Sequence, residues 1–123
     1  MENLKKTVYL CHPLRGAQPH TREKTEKNIT KATAICRAIA QKGEVALFSP
    51  LHAFSFLDPL TVPYDDAMQY CFLLLSTCDE MWVCPGDKTS QGCLDEIRLA
   101  RRLGIITRYL SLADLQAMNY EPD

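Results

Sequence analysis

The chain has no excess of basic residues: 14 Lys and Arg stand against 15 Asp and Glu, for a formal charge of −1. Its cations are dispersed as Lys5-Lys6, Arg22-Lys24-Lys27 and Arg98-Arg101-Arg102, which read as solvated faces and not as one stripe, so a nucleic-acid polymer is not an expected partner. No apolar run approaches the roughly 20 residues of a membrane span, and the polar start Met1-Glu2-Asn3-Leu4-Lys5-Lys6 carries no signal-type apolar region. A membrane partner is not expected either. The six cysteines, at 11, 36, 71, 78, 84 and 93, contain no C-x-x-C pair and face no His at zinc-finger spacing, so no metal site is expected. Most lie in apolar runs, where a free thiol behaves as a small core residue, and that usage points to a reducing, cytoplasmic location. Neither G-x-G-x-x-G nor G-x-x-x-x-G-K-[ST] occurs, which leaves dinucleotide and P-loop chemistry without a motif and no cofactor expected.

What is present fits one globular domain over 1–123: 46% hydrophobic and 24% charged residues in a length that leaves little room for a second core. Thr7 to Cys11 is a short β-branched and aromatic run ending at Pro13 and Gly16, a buried strand followed by a loop. Thr25 to Gln41 carries Asn28, Ile29, Ala32, Ile35, Cys36 and Ile39 at helical spacing and stops at Gly43. Val45 to Phe48 reads as a second buried strand closed by Ser49-Pro50. Leu51 to Pro63 follows neither period and reads as a long apolar loop, a lid, a dimer contact or a docking segment through Phe54, Phe56 and Leu57.

Asp65 and Asp66 are expected to N-cap a helix whose stripe is Met68, Cys71, Phe72 and Leu75. Met81 to Cys84 is a third strand, Ser90 caps a helix that runs to Leu103 and ends at Gly104, Ile105 to Leu110 is a fourth strand, and Leu112 to Met118 is a last short helix. Strands alternating with helices of this length imply right-handed crossovers. The expected fold is therefore α/β, a three-layer Rossmann-like (flavodoxin-like) parallel sheet of about four to five strands with helices on both faces. Ligands of such sheets bind at the carboxyl ends of the strands.

The helix after Ser90 is the most informative segment. Cys93, Ile97, Ala100 and Leu103 share one face, Asp95, Arg98 and Arg102 the other, and Glu96 falls on the apolar side. A carboxylate there points at the sheet or a crevice beside it, to serve chemistry or to pair with a buried Arg or a neighbouring loop. Gly92 lies one turn earlier on nearly the same side and leaves space for a ligand. Ser90 is either an N-cap alone or, with the amides near the helix N-terminus, a holder of phosphate. After the first strand, Arg15 and Gly16 stand where phosphates are often held and His12 is a candidate general acid, although a surface Arg and a structural His are the simpler readings.

Tyr9-Leu10-Cys11-His12-Pro13-Leu14-Arg15-Gly16, then Cys78-Asp79-Glu80-Met81-Trp82-Val83, then Ser90-x-Gly92-x-x-x-Glu96-x-x-x-Ala100-x-x-x-Gly104, resemble the nucleoside 2-deoxyribosyltransferase-like superfamily over roughly residues 6 to 110. That superfamily includes 2'-deoxynucleoside 5'-phosphate N-hydrolases and uncharacterised bacterial and phage domains. The resemblance implies a nucleotide or nucleoside as the small-molecule partner, a homo-oligomer, and Glu96 as a nucleophile that attacks the anomeric carbon and expels the base, as in retaining glycosidases. It implies that Ser90, with Arg15 and Gly16, faces a 5'-phosphate. The chain departs from the family pattern at Cys71, where the resemblance implies an Asp that orients sugar and base; Asp65 or Asp66, of which Asp65 projects nearer the apolar stripe, substitutes for it only if the preceding loop is rearranged. A nucleotide-binding module without catalysis is the alternative reading of the same pocket.

Overall fold

The computed structural model describes residues 3–118; the expected domain span 1–123 extends past these at both ends. Four strands, β1 (Thr7–Cys11), β2 (Ala46–Phe48), β3 (Glu80–Val83) and β4 (Ile106–Tyr109), form one sheet in the order β2-β1-β3-β4, parallel at every pairing. The helices are α1 (Arg22–Lys42), α2 (Pro50–Ala53), α3 (Tyr64–Leu75), α4 (Gln91–Leu103) and α5 (Leu112–Ala117). This is the expected three-layer α/β fold.

The central strand explains why the layers form. Val8, Tyr9, Leu10 and Cys11 are all fully buried, and alternation along the strand sends them to opposite faces. Val8 and Leu10 pack with Ile35, Ala38 and Ile39 of α1 and Leu115 of α5. Tyr9 and Cys11 pack on the other side with Leu75 of α3 and Cys93, Ile97 and Ala100 of α4. A strand buried on both faces must be apolar at every position, which is why Thr7 to Cys11 reads as a run and not as an alternation. At its start, Asp79 accepts from the Thr7 backbone N–H at 2.8 Å and from the Thr7 hydroxyl at 3.1 Å, fixing β1 beside β3.

Three local expectations change. Helix α1 begins at Arg22 because Thr21, whose hydroxyl accepts from Lys24 N at 3.2 Å, caps it a turn before Thr25. The segment expected as a loop from Leu51 opens with the short helix α2. Helix α3 starts at Tyr64, directly after Pro63, and no side chain caps it. Asp65 and Asp66 thus sit inside the first turn, exposed, where they face the positive end of the helix dipole without capping it. Helix α4 is as expected: Ser90 caps it, and Gly104 closes it at φ 72°, the left-handed conformation that glycine adopts without strain. Leu103, in its last turn, is half-exposed and does not join the buried face. Among the described residues no helix is long and apolar enough to cross a membrane.

Candidate functional site

In the order β2-β1-β3-β4 the chain leaves β1 toward one edge for β2 and reaches the other side of β1 with β3. The carboxyl ends of β1 and β3 are thus the switch point where open parallel sheets leave a crevice. A cavity of about 720 Å³ opens there. Its walls are the β1–α1 loop, α2 with the segment that follows it, the inner face of α3, and the N-terminal turns of α4. The volume lies in the range of small-molecule sites.

Glu96 lies at the bottom of this cavity, 5% exposed, carried there by the buried face of α4. No buried Arg meets it among the described residues. Its partners come from β1: the Tyr9 hydroxyl donates to Oε2, and the Cys11 thiol donates to Oε1 at 3.4 Å. Burial pushes the Glu96 carboxyl up to about 7, a rise opposed by the donors Tyr9, Cys11 and Cys71. Burial first, then the charge of Glu96, holds the Tyr9 phenol well above its ordinary range, so it stays protonated and donates. Cys71, on the cavity face of α3, is pushed up to about 12 by burial and by the Glu96 charge, and stays a thiol. Tyr9 and Cys11 were not singled out in the sequence, because a buried run gives no sign of which polar tip meets a carboxylate 85 residues away.

Ser90 is 5% exposed and both caps and lines: its hydroxyl accepts from Cys93 N at 3.3 Å, and its side chain borders the cavity. Gly92 borders it too, and a Cβ there would meet the Met68 sulfur at 3.7 Å and the Ser90 hydroxyl at 4.0 Å, both ordinary contacts, so the glycine widens the cavity without being forced by packing. Gly16 is required by its backbone, at φ 71°. Asn28 of α1 donates to Leu14 O at 2.9 Å and holds this loop against the helix. Arg15 lines the cavity, donating to Val62 O at 3.1 Å with its guanidinium 5.5 Å from the centre of the Tyr64 ring. The Tyr64 hydroxyl in turn donates to Asp95 at 2.6 Å. This chain of contacts ties the β1–α1 loop to α3 and α4.

His12 is buried at the edge of the cavity with Nδ1 2.8 Å from Pro13 O, so Nδ1–H donates there. Burial lowers its pKa and keeps the ring neutral, with Nε2 as an acceptor. Asp65 is the site expectation that the geometry corrects. Because α3 begins at Tyr64, at least two residues earlier than the capping pattern implies, Tyr64, Met68 and Cys71 form the cavity face, and Asp65, rotated by about 100° from Tyr64, is exposed and outside the lining. Tyr64 and Lys88 are lining residues that the sequence reading did not name as site candidates. The spacing rules for metals likewise say nothing of side chains joined by folding: Cys11, Cys93 and Glu96 bring three ligand atoms within 4.8 Å of one another.

The comparisons with known proteins can be set beside this geometry. The family model for a domain of unknown function, DUF7768, matches residues 6–110. The chain belongs to that family. No curated protein matches the sequence. Among solved structures, a 2-desoxiribosyltransferase from Leishmania mexicana superposes with a TM-score of 0.54 at 17% identity. The match covers 86% of this DUF7768 chain and 64% of that protein, so the chain spans less than two thirds of it. At this identity the likeness is one of fold, and it agrees with the α/β architecture.

Proposed function

We propose that this DUF7768 domain cleaves or transfers the base–sugar bond of a nucleotide or nucleoside, with Glu96 as the nucleophile. The observation that carries the reading is one carboxylate, buried at the base of a cavity of about 720 Å³ at the switch point of the sheet and held on both oxygens by donors from the central strand. Donors on both oxygens fix the carboxylate in one orientation. Attack of a Glu96 oxygen on the anomeric carbon would form the C–O bond of a glycosyl ester as the C–N bond to the base breaks. The bonding pair leaves with the base, which takes its proton from water, and water or a second base then attacks the anomeric carbon, breaking the ester C–O bond and returning the Glu96 carboxylate.

Phosphate recognition falls to the N-terminal end of α4 and the β1–α1 loop. Ser90 and Gly92 at the α4 N-terminus, with Arg15 and Lys88 as cations beside the same cavity, supply a dipole end and positive charge suited to a 5'-phosphate. His12 and Gly16 complete that rim. The residue composition supports a cytoplasmic setting, and a homo-oligomer in which the exposed Phe56 and its neighbours meet a second copy is part of the same proposal.

One observation favours a second reading, a nucleotide-binding module without turnover. Cys71 borders the cavity beside Glu96 where the resemblance implies an Asp, and a thiol held at about 12 neither orients a sugar as a carboxylate does nor gives up its proton readily. The deciding experiment is a chromatographic screen of ribo- and deoxyribonucleosides and their 5'-monophosphates with wild type and Glu96→Gln. Free base from the wild type alone supports the enzyme. Binding by both proteins with no base released supports the module, and neither binding nor release overturns both.

A further inference from the structure

Half of the six cysteines, from three different elements, converge on one carboxylate: Cys11 from β1, Cys71 from α3 and Cys93 from α4 all surround Glu96. In the first instance this looks like ordinary core filling, since Cys11 and Cys93 are almost fully buried. The distances suggest more. The Cys11 sulfur lies 3.4 Å from Glu96 Oε1, and the two sulfurs and a carboxylate oxygen all lie within 4.8 Å of one another. In a tetrahedral zinc site, with metal–sulfur bonds of about 2.3 Å and metal–oxygen bonds of about 2.0 Å, the sulfur–oxygen edge is about 3.5 Å and the sulfur–sulfur edge about 3.8 Å.

We infer that Cys11, Cys93 and Glu96 form a binding site for one soft divalent cation of the zinc class, with its fourth position open to the cavity. Cys93 and Glu96 both border that cavity, so the ion has an entry path and a place for an exogenous ligand. Tyr9, donating to Oε2, leaves Oε1 for the metal and acts as the outer partner that fixes the carboxylate. On binding, two S–H bonds break, as does the carboxyl O–H wherever Glu96 is protonated, and these protons pass to solvent, while two metal–sulfur bonds and one metal–oxygen bond form. No electron is transferred. Two thiolates and two sulfurs' worth of polarisability select zinc or cadmium over magnesium or calcium, which prefer oxygen. The inference stands apart from the glycosidic reading. It gives Glu96 a second, exclusive use, because an oxygen bound to metal is not available to attack a sugar.

The test is a titration of the reduced full chain with cadmium and with cobalt(II), followed by thiolate-to-metal charge-transfer absorption, with binding stoichiometry by mass spectrometry. One equivalent per chain is expected. Cys93→Ser should weaken uptake by at least about 100-fold, the upper end of what losing even an outer partner costs, and Glu96→Gln, which keeps both thiols and the shape of the side chain, by at least about tenfold. Cys36→Ser, on the opposite face of the sheet, should bind as wild type. The inference is overturned by wild type that takes up no stoichiometric metal, by uptake that survives both Cys93→Ser and Glu96→Gln, or by uptake that is lost with Cys36→Ser.

Discussion

The Tyr9 hydroxyl, on the central strand, donates its hydrogen bond to Oε2 of Glu96, 87 residues away on α4. Tyr9 is fully buried and Glu96 nearly so, and the two side chains come from opposite sides of the same interface between sheet and helix. A carboxylate on a helix alone would be free to rotate. Here one oxygen is tied to the most deeply buried strand of the protein, and the phenol has no competing proton loss because burial and the neighbouring negative charge both hold it protonated.

Tyr9→Phe removes that donor while keeping the ring. The carboxylate then loses one of the bonds that oppose its burial, so its pKa should rise further above the value of about 7 in the native protein. A hydrogen bond to a charged group contributes roughly 1.5–3 kcal/mol, and stability above pH 7 should fall by about 2 kcal/mol in urea unfolding. A loss of about 1.4 kcal/mol from the transition state corresponds to about a tenfold drop in kcat, which we expect with KM nearly unchanged. Wild-type kcat in Tyr9→Phe would show that Tyr9 does not hold the reacting group.

Glu96 makes stability depend on pH in a definite direction. Its carboxyl titrates near 4.5 when unfolded and about 7 when folded, so between these values the folded state holds more protons and stability falls as pH rises. The loss should reach about 3 kcal/mol and level off above pH 7. Glu96→Gln removes the titration. Unfolding of both proteins at pH 5 and pH 8, with a chelator present, should show the variant gaining relative to wild type at pH 8. Activity should move the opposite way, with kcat/KM rising through about pH 7 as the nucleophile ionises, and a wild-type stability that is flat over this range would contradict the buried charge.

Much of this was legible in the sequence because single segments carried it. The period of α4 placed Glu96 on the buried face, and Ser90 and Gly104 marked its ends, since capping is a property of a few adjacent residues. The central strands β1 and β3 read as short apolar runs because a parallel sheet covers them on both sides, whereas the edge strands β2 and β4 are half-buried to exposed, so the burial expected of β2 does not hold. What stayed hidden depended on tertiary contact. Tyr9 and Cys11 look like any core residues until α4 is laid across them, and the start of α3 turned on a proline directly before Tyr64 and not on the acidic pair that follows, which is why Asp65 was expected in the site and Tyr64 was not. Three cysteines separated by 60 and 22 residues likewise show no motif.

Ser90 has two roles that substitution can separate. As a cap its hydroxyl satisfies Cys93 N, and Ser90→Ala should cost about 1 kcal/mol in stability whatever the ligand. As a wall of the cavity it should matter more for phosphate than for sugar or base. Binding of a nucleoside 5'-monophosphate should therefore weaken about tenfold in Ser90→Ala while binding of the matching nucleoside changes less than about twofold, by calorimetry at fixed ionic strength. Equal losses for both ligands would leave Ser90 a cap alone.

Cys71 tests whether the missing carboxylate limits turnover. Its side chain borders the cavity next to Glu96, so Cys71→Asp would set a second acid beside a carboxylate whose pKa is already raised by burial. Two like charges in that space disfavour double ionisation, and the pair should share a proton, with one group's pKa pushed up and the other's down. Such a pair offers both a nucleophile and a proton donor for the leaving base, as in retaining glycosidases. We expect Cys71→Asp to lower stability by about 1–3 kcal/mol at pH 8, where the shared proton is hardest to keep, and to raise the rate of base release by at least about tenfold near pH 6. Cys71→Ser, which adds polarity without an acid, should change the rate by less than about threefold. A rate that rises equally in both variants would assign the effect to polarity at position 71, and no gain in Cys71→Asp, with the protein folded and nucleotide bound, would favour the module that binds without turnover.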